Sequence, residues 1–337
     1  MLNPAGQPAI GGYFGLERHV VPCDAARSAD FEDPPLLMSG RACIRALVNE
    51  FRPAQIWLPF YSCDSLGQPF VDAEIPIRYY PINERFEPLL PEDISAENDV
   101  VVAVNFFGLG NQVAHLVAEQ SAVRCWLDLT QACYWRTDNW VNLWGFNSFR
   151  KFVGVPDGAM IFGQLSQTPQ LRLLPANRNY RTEHLILREL GYFADGRNYH
   201  SENERRCGQG LLRASDLSKT IIESLNHQQI TTIRRENFRQ LHSELGALNT
   251  LDSEMLTLAP ETVPFCYPFL PGSGVNHTWL WERRIFAPVL WDECTSRSGD
   301  FTWERTLARR LLPLPIDQRY GPSHMSRIVD VIKQYGS

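Results

Sequence analysis

The stretch "DVVVAVNFFGLGNQVAHLVAEQSAVRCWLDLT", residues 99–130, decides how the rest of the chain is read. It opens on a continuous apolar run, Val100 to Val104, of the kind that a strand buried on both faces of a parallel sheet requires. "NQVAHLVAEQ" then carries helical spacing, and "VRCWLDLT" returns to a strand ending near Asp128. Strand, helix, strand at this spacing is a βαβ unit. Ligands of such sheets gather at the carboxyl ends of the strands. Asn105 and Asp128 therefore stand where a site is expected.

The text on either side continues the pattern. Upstream, "SGRACIRALVNEF" reads as a helix capped by Ser39, "QIWLPF" as a strand stopped by Pro59, and "DSLGQPFVDA" as a weak helix before the strand "IPIRYYPI". Downstream, residues 166–210 are irregular and rich in Arg, Asn and Tyr, which suits long surface or interface loops. From Ser215 to Leu248 long helices take over, with Ser215 as cap and Asp216 in the first turn. Proline-punctuated text such as "VPFCYPFLPG" then suggests a smaller α+β unit. The expected fold class is α/β, with a large domain (1–214) around a mostly parallel sheet. Connecting helices and a small α+β domain (215–337) follow.

Bulk properties narrow the function. The 337 residues carry a formal charge of −6, which gives no electrostatic reason to expect nucleic acid or an anionic membrane as partner. No apolar run reaches transmembrane length, and the first residues lack the pattern of a secretory signal. The eight cysteines never form a CxxC pair, and no HExxH occurs among the eight histidines. A reduced, cytoplasmic protein without disulfides or a metal site is the expectation.

Two chemistries compete for the sheet edge. One is a dinucleotide site: Gly108-x-Gly110 follows a strand and opens a helix, and Asp128 lies twenty residues past Gly108. Its third glycine position is Val113, however. The other starts from a scarcity. Of 32 basic residues only Lys151, Lys219 and Lys333 are lysines. Arginine serves most surface roles, yet it cannot lose its proton and attack a carbonyl. Lys151 follows Ser148 at SxxK spacing and lies 23 residues after Asp128, with Gln131 between them. In "SGRA", Gly40 and Arg41 open a helix whose free N–H groups suit a phosphate. These parts match pyridoxal phosphate: a lysine for the Schiff base, a carboxylate for the pyridinium nitrogen, and a helix start for the phosphate.

At these residues the chain resembles the sugar aminotransferases of the DegT type, which are fold-type I pyridoxal-phosphate enzymes. "LDLTQA" (127–132) is similar to their "EDAAQA", and "KFVGVPDGA" from Lys151 to their "KNLTTGEGG", with Asp157-Gly158 matching Glu-Gly. "SGRACIRAL" is similar to their "SGTAAL" helix start, and "RASDLSKTIIESLN" and "LPLPIDQRY" resemble their later segments. The resemblance spans nearly the whole chain. It implies a homodimer and transamination from an amino acid, typically glutamate, to a keto group of a nucleotide-linked sugar. Lys151 is the implied catalytic residue. Gly40, Arg41, Asp128, Gln131 and Ser148 are implied at the cofactor, with Arg213 at the substrate. The chain also departs from the pattern. Cys63 stands where an aromatic residue usually stacks on the cofactor, with Phe60 and Tyr61 as substitutes. Arg41 replaces a threonine, and "LLR" (211–213) lacks the asparagine of "NYR" that reaches the neighbouring subunit. These losses leave open a member that binds a sugar nucleotide or a protein partner without catalysis.

Overall fold

The computed structural model of the chain describes residues 8–20, 34–95, 97–110, 113, 123–137, 143–272 and 274–336. Its first part runs β1 (Ile10–Gly11), β2 (Leu36–Leu37), α1 (Gly40–Phe51), β3 (Gln55–Pro59), α2 (Asp64–Asp72), β4 (Ile77–Tyr80) and β5 (Asp99–Val104). β6 (Arg124–Leu129), β7 (Leu143–Asn147) and β8 (Ala159–Phe162) follow. β5 is buried along its whole length, as its apolar run requires. The helix expected over 111–120 lies outside the described residues apart from Val113.

Seven strands form one sheet in the order β2-β8-β7-β6-β5-β3-β4. Neighbours from β4 to β7 pair in parallel, with Val104 opposite Asp128 and Asp128 opposite Phe146, and β8 turns back antiparallel to β7. The register sets the carboxyl ends of β5, β6 and β7 side by side. α1 packs on the sheet through Ala42, Cys43, Ile44, Ala46, Leu47 and Val48. Its cap is the expected one: the Ser39 side chain accepts from the Ala42 N–H at 3.2 Å, a contact of about 1 kcal/mol.

Residues 166–210, expected as loops, hold three helices instead: α3 (Thr168–Leu173), α4 (Glu183–Glu189) and α5 (Phe193–Cys207). α5 is mostly polar and shows no broad apolar stripe, so periodicity gives no warning of it. Ion pairs one helical turn apart, Glu202–Arg206 and His200–Glu204, support it.

The helices expected from Ser215 onward are α6 (Asp216–Glu223), capped by Ser215, and α7 (His227–Leu245). Beyond them lie β9 (Tyr267–Phe269), α8 (His277–Glu282), β10 (Ile285–Phe286), α9 (Thr302–Arg310), β11 (Leu312–Leu314) and α10 (Pro322–Lys333). β9 and β11 pair with each other. Contacts cross the boundary expected after residue 214. β1 pairs in parallel with β10, and Arg327 donates to the Pro8 carbonyl, so the start of the described chain packs on its C-terminal part. No helix among the described residues is long and apolar enough to cross a membrane.

Candidate active site

Lys151 closes a 3-10 turn, Phe149–Lys151, that leaves the carboxyl end of β7. Its Nζ donates to Thr130 Oγ1 at 2.9 Å, and the Thr130 N–H donates to Asp128 Oδ1 at 2.8 Å. Thr130 thus links the lysine to the carboxylate that ends β6. The second Asp128 oxygen has no hydrogen bond among the described residues. A Cβ on Gly40 would lie 3.5 Å from the Thr130 methyl and 3.6 Å from the Asn147 carbonyl, so the start of α1 abuts the same point. Ser148 is 8% exposed, and its hydroxyl has no partner among the described residues. Lys151, Asp128, Gly40 and Ser148, 111 positions apart at the extremes, meet at one edge of the sheet.

Cys63 joins them at the entry to α2. Burial raises its thiol above the usual value, the Lys151 charge lowers it and the Asp128 charge raises it again. Both charges act on the Cys63 thiol. The aromatic neighbours proposed as substitutes are engaged elsewhere. Phe60 stacks on Phe301 with ring centroids 4.0 Å apart, and the Tyr61 hydroxyl donates to the Leu290 carbonyl at 2.6 Å. Neither is free to stack on a ligand at Lys151.

Gln131 is a brace. Its Oε1 accepts from the Phe107 N–H at 2.8 Å and helps hold that residue at φ 59°. Asn105 serves the same turn, accepting from the Gly110 N–H at 2.9 Å. The dinucleotide reading fails at Gly108. A Cβ there would stand 2.7 Å from the Val263 carbonyl oxygen and 2.8 Å from that of Gln131. That glycine, at φ +73°, admits protein backbone and leaves no room for a pyrophosphate.

Neither Arg41 nor Arg213 lines the cavity on which Lys151 opens. Arg41 Nη2 donates to the Glu204 carbonyl at 2.7 Å, towards α5. Arg213 sits beside the edge strand β2, bridged to Leu37, with its Nε on the Leu174 carbonyl at 2.6 Å.

Three residues outside the expected site secure the lysine turn. Asp157 is fully buried and accepts from the Ser215 N–H and hydroxyl and from Asn177 Nδ2, which pins the turn to the start of α6. Glu17 accepts from the Gly154 N–H at 3.2 Å and from Gln318 Nε2 at 3.1 Å. Arg234, fully buried, donates through Nη2 to the Phe152 carbonyl at 3.1 Å and through Nη1 to that of Phe265 at 3.1 Å. Arg234 did carry a signal: it occupies the buried stripe of α7 between Ile230 and Phe238. A charge there needs partners.

Lys151 opens on a cavity of about 560 Å³, walled by Tyr13, Phe193 and Phe286 and edged by Arg150, Arg197 and Arg319. Among the described residues no cluster of three or more His, Cys, Asp or Glu is placed to hold a metal ion.

No protein-family model matches the chain, and no curated protein matches it in sequence. Solved structures do match in shape. The sugar aminotransferase CalS13 of Micromonospora echinospora superposes with a TM-score of 0.66 at 14% identity, covering 96% of this chain and 93% of its own. A DegT DnrJ EryC1 StrS aminotransferase of Brucella abortus gives 0.61 at 12% identity, covering 90% and 86%. The PLP form of Spr1654 of Streptococcus pneumoniae, described as a sugar aminotransferase, gives 0.62 at 10% identity, covering 96% and 93%. The chain has the fold of these aminotransferases.

Proposed function

We propose that this chain is a pyridoxal-phosphate-dependent aminotransferase that moves an amino group from an amino acid such as glutamate to a keto group on a nucleotide-linked sugar. One observation carries the reading: Lys151, which lines a cavity of about 560 Å³, donates from Nζ to Thr130 Oγ1 at 2.9 Å, and the Thr130 N–H donates in turn to the Asp128 carboxylate. The residues present suit the group. Asp128 has an oxygen to spare, Ser148 a spare hydroxyl, and α1 begins beside them with its unpaired N–H groups. Bound pyridoxal phosphate supplies an electron sink for the carbon that carries the substrate's amino group.

The chain's own side chains supply the rest. Lys151 would hold the cofactor through Nζ and would move a proton at that atom. Asp128 would hold the cofactor's ring nitrogen and keep its proton in place. Gly40, Arg41 and Ser148 take the phosphate. Gln131 supports the site from behind, because its Oε1 is already bonded to the Phe107 N–H. Exposed Leu173, Ile186, Leu190 and Tyr192 lie close in sequence and support a homodimer, where Arg213 would meet substrate across the subunit boundary. The cytoplasm is the compartment this chemistry suits.

A second reading is binding without turnover. It is favoured by Cys63, which feels the charges of Lys151 and Asp128 and stands where the resemblance calls for an aromatic ring. Turnover separates the two. Full-length protein with pyridoxal phosphate, glutamate and a keto-sugar nucleotide should release 2-oxoglutarate, and Lys151→Arg should not. Absence of the donor's own 2-oxo acid with any keto-sugar or amino donor, despite bound cofactor, would leave the binding reading.

A further inference from the structure

The C-terminal end of α5 lies across the N-terminal end of α1. The Ser39 hydroxyl donates to the Cys207 carbonyl at 2.6 Å, and Arg41 Nη2 donates to the Glu204 carbonyl. Gly208 packs against the Arg41 guanidinium so closely that any side chain there would strike it. The Glu204 carboxylate completes the cluster. It pairs with Arg150, stands 3.9 Å from Arg41 Nη2 and 3.8 Å from His200 Nε2. Burial alone would raise its carboxyl, but Arg150, His200 and Arg41 hold it down at about 2.

The donors in this cluster outnumber the acceptors. Arg150 Nη1 is buried without a hydrogen-bond partner among the described residues. No hydrogen bond leaves the Gly40 or Arg41 backbone N–H among the described residues, as expected for the first turn of a helix. Two guanidiniums thus meet at one carboxylate, and one of them, Arg41, sits on the first turn of α1. Arg150 is the residue immediately before Lys151 and lines the same cavity, together with His200.

We infer that Arg150 and Arg41, with the first turn of α1, form a phosphate clamp, and that Glu204 is its resident counter-ion, displaced when the cofactor's phosphate enters. The inference rests on the pyridoxal-phosphate reading of the site. A phosphate carries more charge than a carboxylate and three acceptor oxygens, so it satisfies the orphan donors that Glu204 leaves unpaired. Glu204 in turn keeps two neighbouring arginines together while the clamp is empty.

The test is to titrate full-length wild type, Glu204→Gln and Arg150→Met with pyridoxal phosphate and, separately, with pyridoxal, which lacks the phosphate. Removing the competing charge should tighten pyridoxal phosphate about tenfold in Glu204→Gln and leave pyridoxal unchanged. Arg150→Met should weaken pyridoxal phosphate about tenfold and again leave pyridoxal unchanged. Inorganic phosphate should raise the Tm of Glu204→Gln more than that of wild type. Two results would overturn the inference: Glu204→Gln binding pyridoxal phosphate no more tightly than wild type, or its effects on the two ligands being equal. The phosphate shift does not depend on Lys151. Wild type that binds neither pyridoxal ligand would therefore sink the cofactor reading, while the Tm comparison still decides whether the clamp and its counter-ion exist.

Discussion

Glu17 ties the start of the described chain to the lysine turn, and its replacement tests how that turn is held. Oε1 accepts from the Arg18 N–H at 2.9 Å, the His19 N–H at 2.8 Å and His19 Nδ1 at 2.9 Å, while Oε2 accepts from the Gly154 N–H and Gln318 Nε2. The Glu17 N–H also donates to the Gly154 carbonyl at 3.1 Å. The side chain is only 3% exposed. Burial by itself would raise its carboxyl, but the hydrogen bonds from His19 and Gly154 outweigh it and bring the value from 4.5 to about 2. At about 1.4 kcal/mol per pKa unit, that depression corresponds to roughly 3 kcal/mol favouring the ionised, folded form. The folded value lies below the unfolded one, so this stability is fully present above pH 4.5. It is lost as the pH falls from there towards 2. In Glu17→Gln an amide N–H₂ replaces one acceptor and cannot accept from Gly154. Urea unfolding at a series of pH values should show the variant about 2–3 kcal/mol less stable at pH 7, with the gap closing as the pH drops below 4.5. A gap under about 0.5 kcal/mol at pH 7, or one that is constant with pH, would refute the role given to Glu17.

Three further outcomes follow from the geometry. Gly108→Ala places a methyl against two carbonyl oxygens at φ +73° and should cost about 2 kcal/mol or more in thermal unfolding; a neutral change would contradict the close backbone approach there. Arg234→Met keeps the volume but strips the Phe265 carbonyl of a donor and should destabilise by about 2–3 kcal/mol. The Phe152 carbonyl keeps its bond from Gln318 Nε2 at 2.7 Å, so a larger loss, or none, on urea unfolding would mean that the bracing is shared differently. Burial raises the Cys63 thiol, so at neutral pH iodoacetamide should alkylate it more slowly than a free model thiol; an equal rate, located at Cys63 by peptide mapping, would contradict that environment.

What the sequence reveals and conceals follows from the range of the interactions involved. β5 and β6, the Ser39 and Ser215 caps and the meeting of Asp128 with Lys151 are legible because each rests on local pattern plus the rule that parallel strands share a carboxyl edge. α5 was not legible: its stabilising pairs are charged, and it buries only Gly196, Asn203 and Cys207. Glu17 was not legible either, since its partners lie 137 and 301 residues away. Gln131 and Gly108 carried motif-like signals that the structure accounts for by packing. Both sit where the turn after β5 meets other backbone, and a spacing rule does not separate that need from ligand binding.

The central claim is that Lys151 takes pyridoxal phosphate. The direct measurement is borohydride reduction of the full-length protein after incubation with pyridoxal phosphate, followed by peptide mass mapping, on wild type and Lys151→Arg. The account predicts a single stable pyridoxyl adduct on Lys151, with none on Lys219 or Lys333 and none in the variant. Wild type that carries no adduct at saturating cofactor, or carries it equally on Lys219 and Lys333, would contradict the account.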